Sequence, residues 1–182
     1  MNNRIPPLDP AQATGKTQQL FTAIQGKMGM VPNALRVFGH SPAALGGYLN
    51  LNGALAGGVL PAAIREQISL AVSEFNGCGY CLSAHTVTGG LAGLSAEAIT
   101  AARQGQATDA KAFAAITLAR QVATLRGKVA DADLAAARAA GLSDAELVEI
   151  VAAVVAITFT NYLNNVAEPV IDFPEVKPGV FA

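Results

Sequence analysis

Cys78 and Cys81 are the two cysteines of the chain, and both fall in GCGYCLSAH (77–85), with His85 four residues beyond the second. Three chemistries fit such a group: a redox pair, part of a metal site, or two inert buried thiols. Gly77 and Gly79 flank Cys78, which predicts a helix start there, with Cys81 in the first turn. Free N–H groups and the positive end of the helix dipole stabilise a thiolate at that place. A C-x-x-C at a helix start also brings its two sulfurs within bonding range. His85 projects from the same face as Cys81, so its imidazole can accept the Cys81 proton or hold the thiolate, the pattern of an activated nucleophile. A zinc site needs about four ligands, and Cys78, Cys81 and His85 supply three. The other histidine, His40, lies in His-Ser-Pro at a predicted helix boundary and reads as a capping or packing residue.

The elements that must carry these residues are helices. Alanine, the strongest helix former, makes up 37 of 182 residues, and no Val/Ile/Thr alternation with hairpin turns predicts a strand. Helices are expected near 14–26, 32–39, 42–56, 61–76, 79–91, 95–104, 108–126, 131–140 and 143–165. Pro32, Pro42 and Pro61 suit first turns, and Ser95 and Ser143 suit N-caps. If 61–76 and 79–91 form an antiparallel hairpin, position 66 lies opposite about position 88. Glu66 then comes within roughly one turn, about 5 Å of axial offset, of His85. A carboxylate there can orient the imidazole. Glu74, nearer the turn, would raise a thiol pKa if it sat beside the cysteines, so it is expected to face solvent or a partner subunit.

Two further features concern organisation. A shift of 83 positions lays Ile64-Arg-Glu66-Gln-Ile over Leu147-Val-Glu149-Ile-Val, Cys78 over Asn161, and Cys81 over Asn164. This echo reads either as chance likeness of two amphipathic helices or as an old duplication of helical hairpins about a pseudo-two-fold axis. From Glu168 onward three prolines predict an extended arm, on its own subunit or on a neighbour. The length fits one domain over 1–182, with 1–27 as an N-terminal arm and first helix and 168–182 as the C-terminal arm.

Composition removes several classes. At 52% hydrophobic, 14% charged and a net charge of −1, the chain lacks the basic patch of a nucleic-acid binder and the polarity of a disordered one. Some apolar surface is expected to be buried between subunits. The N-terminus has no apolar signal region, and the most apolar run, Ile150 to Ile157, falls short of a bilayer span. The expectation is a cytoplasmic protein without membrane contact. In that compartment C-x-x-C reads as catalytic or metal-binding rather than structural.

Glu66, eleven residues, Cys78-Gly-Tyr-Cys81, three residues and His85 form the pattern E-x11-C-x-x-C-x3-H. It resembles the alkylhydroperoxidase AhpD core of the carboxymuconolactone decarboxylase-like family. MGMVPNALRVFGHSPAAL (28–45) is similar to that family's upstream segment. The resemblance covers about residues 28–165 and implies an all-α, internally duplicated fold, assembled as a trimer or hexamer. It implies reduction of organic hydroperoxides through a transient disulfide, with no cofactor. Cys81 would be the peroxidatic thiol, Cys78 the resolving thiol, and Glu66 with His85 the proton relay. Tyr80 stands where the family's well-characterised peroxidase has a histidine, and its hydroxyl can still donate and accept. The reductant would be a disulfide-reducing partner such as a lipoylated protein. A peroxide-independent thiol–disulfide oxidoreductase, a decarboxylase of the same family and an oligomeric scaffold with inert thiols are the alternatives. A thioredoxin-like enzyme would need a βαβ context that the chain lacks.

Overall fold

Alanine-rich segments punctuated by proline, serine and glycine fold where the sequence predicts. The computed structural model describes residues 4–179. In chain order its helices are α1 (Gly15–Met28), α2 (Asn33–Phe38), α3 (Pro42–Ala56), α4 (Ala62–Phe75), α5 (Gly79–Leu91), α6 (Ala96–Arg103), α7 (Ala110–Leu125), α8 (Asp131–Ala139) and α9 (Asp144–Ala167). A 3-10 turn at Pro10–Gln12 precedes them, and no strand occurs among the described residues. Every predicted end lies within two residues of the observed one, the range over which helix ends fray.

Capping explains several starts. Ser95 Oγ accepts from the Ala98 amide at 3.2 Å. Ser143 and Glu146 cap one another's backbone at the start of α9, satisfying two of the amides a helix start leaves free. Gly77 adopts φ +64°, a left-handed turn that glycine enters without penalty. It ends α4 and returns the chain antiparallel as α5.

Helix α4 is central, packed on α5, α6, α7 and α9. Ile68 and Val72 of α4, Leu118 of α7 and Ile150 and Val154 of α9 build the main core, which Cys78, Tyr80 and Cys81 join from α5. Leu70, Leu82, Ile99 and Ile116 fill a second cluster between α4, α5, α6 and α7. Phe21, Phe38 and Leu45 form a third under α1–α3, against Leu163 of α9. Each fully buried aliphatic side chain contributes about 1.5–3 kcal/mol. Truncating Ile150, which is fully buried at the centre, to Ala costs about 2–5 kcal/mol.

The two segments of the 83-residue echo lie on α4 and α9, which pack against one another. Where the first copy stops at Phe75 and turns, however, α9 runs on unbroken to Ala167. Its equivalent of Gly77-Cys78 is Thr160-Asn161, which offers no left-handed break. The apolar run Ile150 to Ile157, expected to fall short of a bilayer span, is only the middle of this longer helix. By length and composition α9 could cross a membrane, although half of its apolar window is buried inside the protein. Val148, Val151, Val155, Phe159, Tyr162 and Val166 form an exposed apolar stripe along its outer face.

The C-terminal arm lies on its own chain. The Val176 amide donates to Ser83 Oγ at 2.9 Å, and the Arg103 guanidinium donates to the Lys177 carbonyl at 2.9 Å. Residues 1–3 and 180–182, the outer parts of the two expected arms, lie outside the described residues.

Candidate active site

Cys78 is the N-cap of α5, and its Sγ accepts from the Cys81 amide at 3.4 Å. Serine or aspartate would cap better; the weak sulfur acceptor places one thiol against the first turn that carries the other. Both thiols are free and buried. Asn164 Nδ2 on α9 donates to Cys81 Sγ at 3.2 Å. Thr160 Oγ1, one turn earlier, lies 3.7 Å from the same sulfur.

These surroundings split the two thiols. The Cys78 thiol donates to Cys81, and this contact does most to pull the Cys81 pKa down. Burial opposes the shift, whereas the charge of His85 and the Asn164 and Asn161 amides assist it, leaving Cys81 at about 6. Cys78 moves the other way: its hydrogen bond to Cys81, its burial and the Cys81 charge all hold its proton on. Two titratable groups driven apart in this way take opposite roles, one as nucleophile and one as proton-bearing partner.

The α4–α5 hairpin brings Glu66 to His85, with Oε2 2.7 Å from Nδ1. Thr88 Oγ1 donates to the same carboxylate oxygen at 2.6 Å, which is the predicted opposition of 66 and 88. Burial disfavours charge on Glu66, yet the His85 charge, the His85 and Thr88 hydrogen bonds and Arg65 lower its pKa. Burial likewise disfavours His85 protonation, and Glu66, followed by Cys81, outweighs it and raises the pKa.

Tyr80 faces elsewhere. Its hydroxyl donates to Asp172 of the C-terminal arm and accepts from the Ala34 amide at 3.1 Å. Asp172 also accepts from the Asn33 amide at 2.8 Å, and the Tyr80 ring meets Phe173 edge-on. The structure therefore gives Tyr80 no hydrogen bond to Glu66 or His85. Burial, followed by the Asp172 contact and the Cys81 charge, holds its proton on, against the opposing Ala34 amide.

Glu74 corrects an expectation. Its side chain is only 9% exposed, paired with Arg103 at 2.8 Å, and its other oxygen accepts from the Gly179 amide at 2.7 Å. It anchors the arm instead of facing solvent, because the cation on α6 and the arm amide replace the water it gives up. His40 is exposed, its Nε2 2.8 Å from the Pro6 carbonyl. Among the described residues no three His, Cys, Asp or Glu side chains gather closely enough to hold a metal ion.

Sequence reasoning passed over Asn164, Thr160, Thr88, Asp172 and Tyr48. Tyr48 on α3 stacks on Phe38 and accepts from Asn52 Nδ2 at 2.6 Å. Burial and the nearby Cys81 and Glu66 charges keep its hydroxyl protonated, outweighing the Asn52 bond. The echo held one usable signal, since it pairs Cys81 with Asn164. A surface hollow of about 660 Å³ lies between α7 and α9, lined by Val151, Phe159 and Tyr162 and by none of the thiol-site residues.

Residues 42–125, which include Glu66, both cysteines and His85, match the carboxymuconolactone decarboxylase family. No curated protein matches the chain. The fold is similar to that of the alkylhydroperoxidase AhpD core, an uncharacterized peroxidase-related protein from Ralstonia eutropha JMP134. The two are 23% identical over 94% of this chain and 92% of that one, with a TM-score of 0.82. An uncharacterized peroxidase-related protein from Silicibacter sp. TM1040 is 22% identical over 95% of both chains, with a TM-score of 0.80. The debrominase Bmp8 is 20% identical over 94% of both, with a TM-score of 0.78. At these identities the likeness is one of fold.

Proposed function

We propose that the protein is a thiol peroxidase that reduces organic hydroperoxides, a reading supported by the match of residues 42–125 to the carboxymuconolactone decarboxylase family and by the likeness of the fold to the AhpD core. The observation that carries this reading is Cys81 at the start of α5, with donors from Cys78 and Asn164 on its sulfur. At pH 7 a thiol titrating near 6 is roughly nine-tenths thiolate.

The Cys81 thiolate attacks the distal oxygen of the hydroperoxide. The O–O bond breaks, sulfur is oxidised to a sulfenic acid, and the alkoxide leaves with a proton as the alcohol. His85, kept protonated by Glu66, supplies that proton. The Cys78 thiol, held beside Cys81 as its proton-bearing partner, then attacks the sulfenic sulfur. A disulfide forms and water leaves. A dithiol donor, such as a lipoylated protein, returns two electrons and two protons to complete the cycle. Tyr80 acts in positioning the turn rather than in moving the proton.

A homo-oligomer is supported by the apolar stripe on α9, the trimer or hexamer being what the family resemblance implies, and a cytoplasmic setting suits a pair that must be re-reduced. A decarboxylase reading, which the name of the matching family suggests, makes no use of the paired thiols, and the likeness to the debrominase Bmp8 is one of fold. A thiol count on reduced protein before and after one equivalent of cumene hydroperoxide tests the proposal. Rapid loss of both thiols supports it. Survival of both would leave a thiol–disulfide oxidoreductase without a peroxide step, or an inert scaffold.

A further inference from the structure

A thiolate accepts hydrogen bonds and cannot donate them. The Asn164 amide must therefore turn its nitrogen to Cys81, as it does at 3.2 Å. Its oxygen takes no part in that contact. Asn164 is 4% exposed, and its Oδ1 has no hydrogen-bond partner. A buried amide oxygen left without a partner is costly, and native proteins rarely keep one without a use for it. Its neighbour on the same helix is fully engaged: Asn161 donates to Ser73 Oγ at 3.0 Å and accepts from Asn76 Nδ2 at 2.9 Å.

We infer that Asn164 is a catalytic residue whose amide holds the Cys81 thiolate through Nδ2 and orients the hydroperoxide through Oδ1. This rests on the peroxidase reading above. The hydroxyl end of a hydroperoxide is a donor, and the vacant acceptor lies on the same planar amide that touches the nucleophile. An O–H donated to Oδ1 puts the distal oxygen beside Cys81 Sγ. That is the oxygen the thiolate must attack for the alkoxide to leave. Attack forms the S–O bond and breaks the O–O bond, and the transferred oxygen keeps its hydrogen, so the sulfenic acid remains donated to Oδ1. The alkoxide takes its proton from His85. The substrate class this selects is a protonated hydroperoxide, ROOH, presented by its hydroxyl end.

The test compares two reactions of Cys81, followed by mass mapping, in wild type and in three Asn164 variants. Each protein is assayed above its own thiol pKa, set by thiolate ultraviolet absorbance, so that loss of the Nδ2 contact does not itself limit either rate. One reagent is cumene hydroperoxide, and the other is iodoacetamide, whose attack on a thiolate needs no oriented O–H. Asn164→Ala removes both polar atoms, and Asn164→Leu does so while refilling the space should Ala fail to fold. Asn164→Asp keeps the oxygen acceptors and the shape.

The inference expects the peroxide rate relative to the alkylation rate to fall about tenfold or more in Ala or Leu, the size of one lost hydrogen bond. Asp should restore most of that ratio. An unchanged ratio in Ala or Leu overturns the role of Oδ1 while the peroxidase reading stands. A wild-type protein that alkylates and ignores the peroxide overturns both.

Discussion

Glu66 on α4 and His85 on α5 are joined through Oε2 and Nδ1 at 2.7 Å across a hairpin closed by Gly77. Nineteen residues apart in the chain, they form a carboxylate–imidazole pair on the face of α5 that also carries Cys81. Removing the charge while keeping the shape, Glu66→Gln, leaves only the Cys81 charge to oppose burial at His85, and the His85 pKa falls. Less imidazolium then faces Cys81, so the thiol pKa rises and the proton donor weakens. The rate of thiol oxidation by hydroperoxide at neutral pH is expected to fall about 100-fold. Stopped-flow measurement on wild type and variant checks it.

The same pair sets a pH window for stability. Glu66 titrates below its ordinary 4.5 when folded, so its contribution is present above 4.5 and is lost as pH falls through the lowered folded value. His85 titrates above its ordinary 6.5, so its contribution is present below 6.5 and is lost as pH rises through the raised folded value. The melting-temperature difference between wild type and Glu66→Gln should be largest between these limits and shrink on both sides. A difference that does not vary with pH would assign the loss to packing alone.

Cys81 should alkylate with a midpoint near pH 6. The rate falls about tenfold per pH unit below the midpoint and is flat above it. Cys78, whose proton is held on, should remain unmodified across the same range. Iodoacetamide kinetics with peptide mapping distinguish the two thiols.

Tyr80 fastens the C-terminal arm through Asp172 and the buried Ala34 amide. Tyr80→Phe leaves that amide without its acceptor and should cost about 1–3 kcal/mol. The loss is concentrated in the arm, so proteolysis within 168–179 should accelerate more than global unfolding does. Equal acceleration of both would mean that the arm is not held by this contact.

Local signals were legible in the sequence. Gly77, Cys78 and the spacing to His85 gave the start of α5, and an antiparallel α4–α5 hairpin gave the opposition of 66 to 88. Asn164 was hidden for a physical reason. Its meeting with Cys81 depends on how α9 packs across α5, and helical periodicity says which residues face inward but not which helix they meet. The echo registered Asn164 as the counterpart of Cys81 without showing that the two would touch. Glu74 was misread because a carboxylate near a turn is usually solvated, and its partners, Arg103 and the Gly179 amide, come from distant segments. Tyr80 lies inside the motif, but the first turn of α5 aims it at the arm, which has no periodicity from which its course could be read.

The most direct test of Cys81 as the peroxide-reactive thiol uses the Cys78→Ser protein, in which a sulfenic acid cannot resolve to the internal disulfide. The reduced variant is treated with one equivalent of cumene hydroperoxide in the presence of a sulfenic-acid trap, then digested and mapped by mass spectrometry. The account predicts a single trapped adduct at Cys81, formed at a rate that follows the thiolate. An unmodified Cys81 thiol under conditions where iodoacetamide labels it would contradict the account.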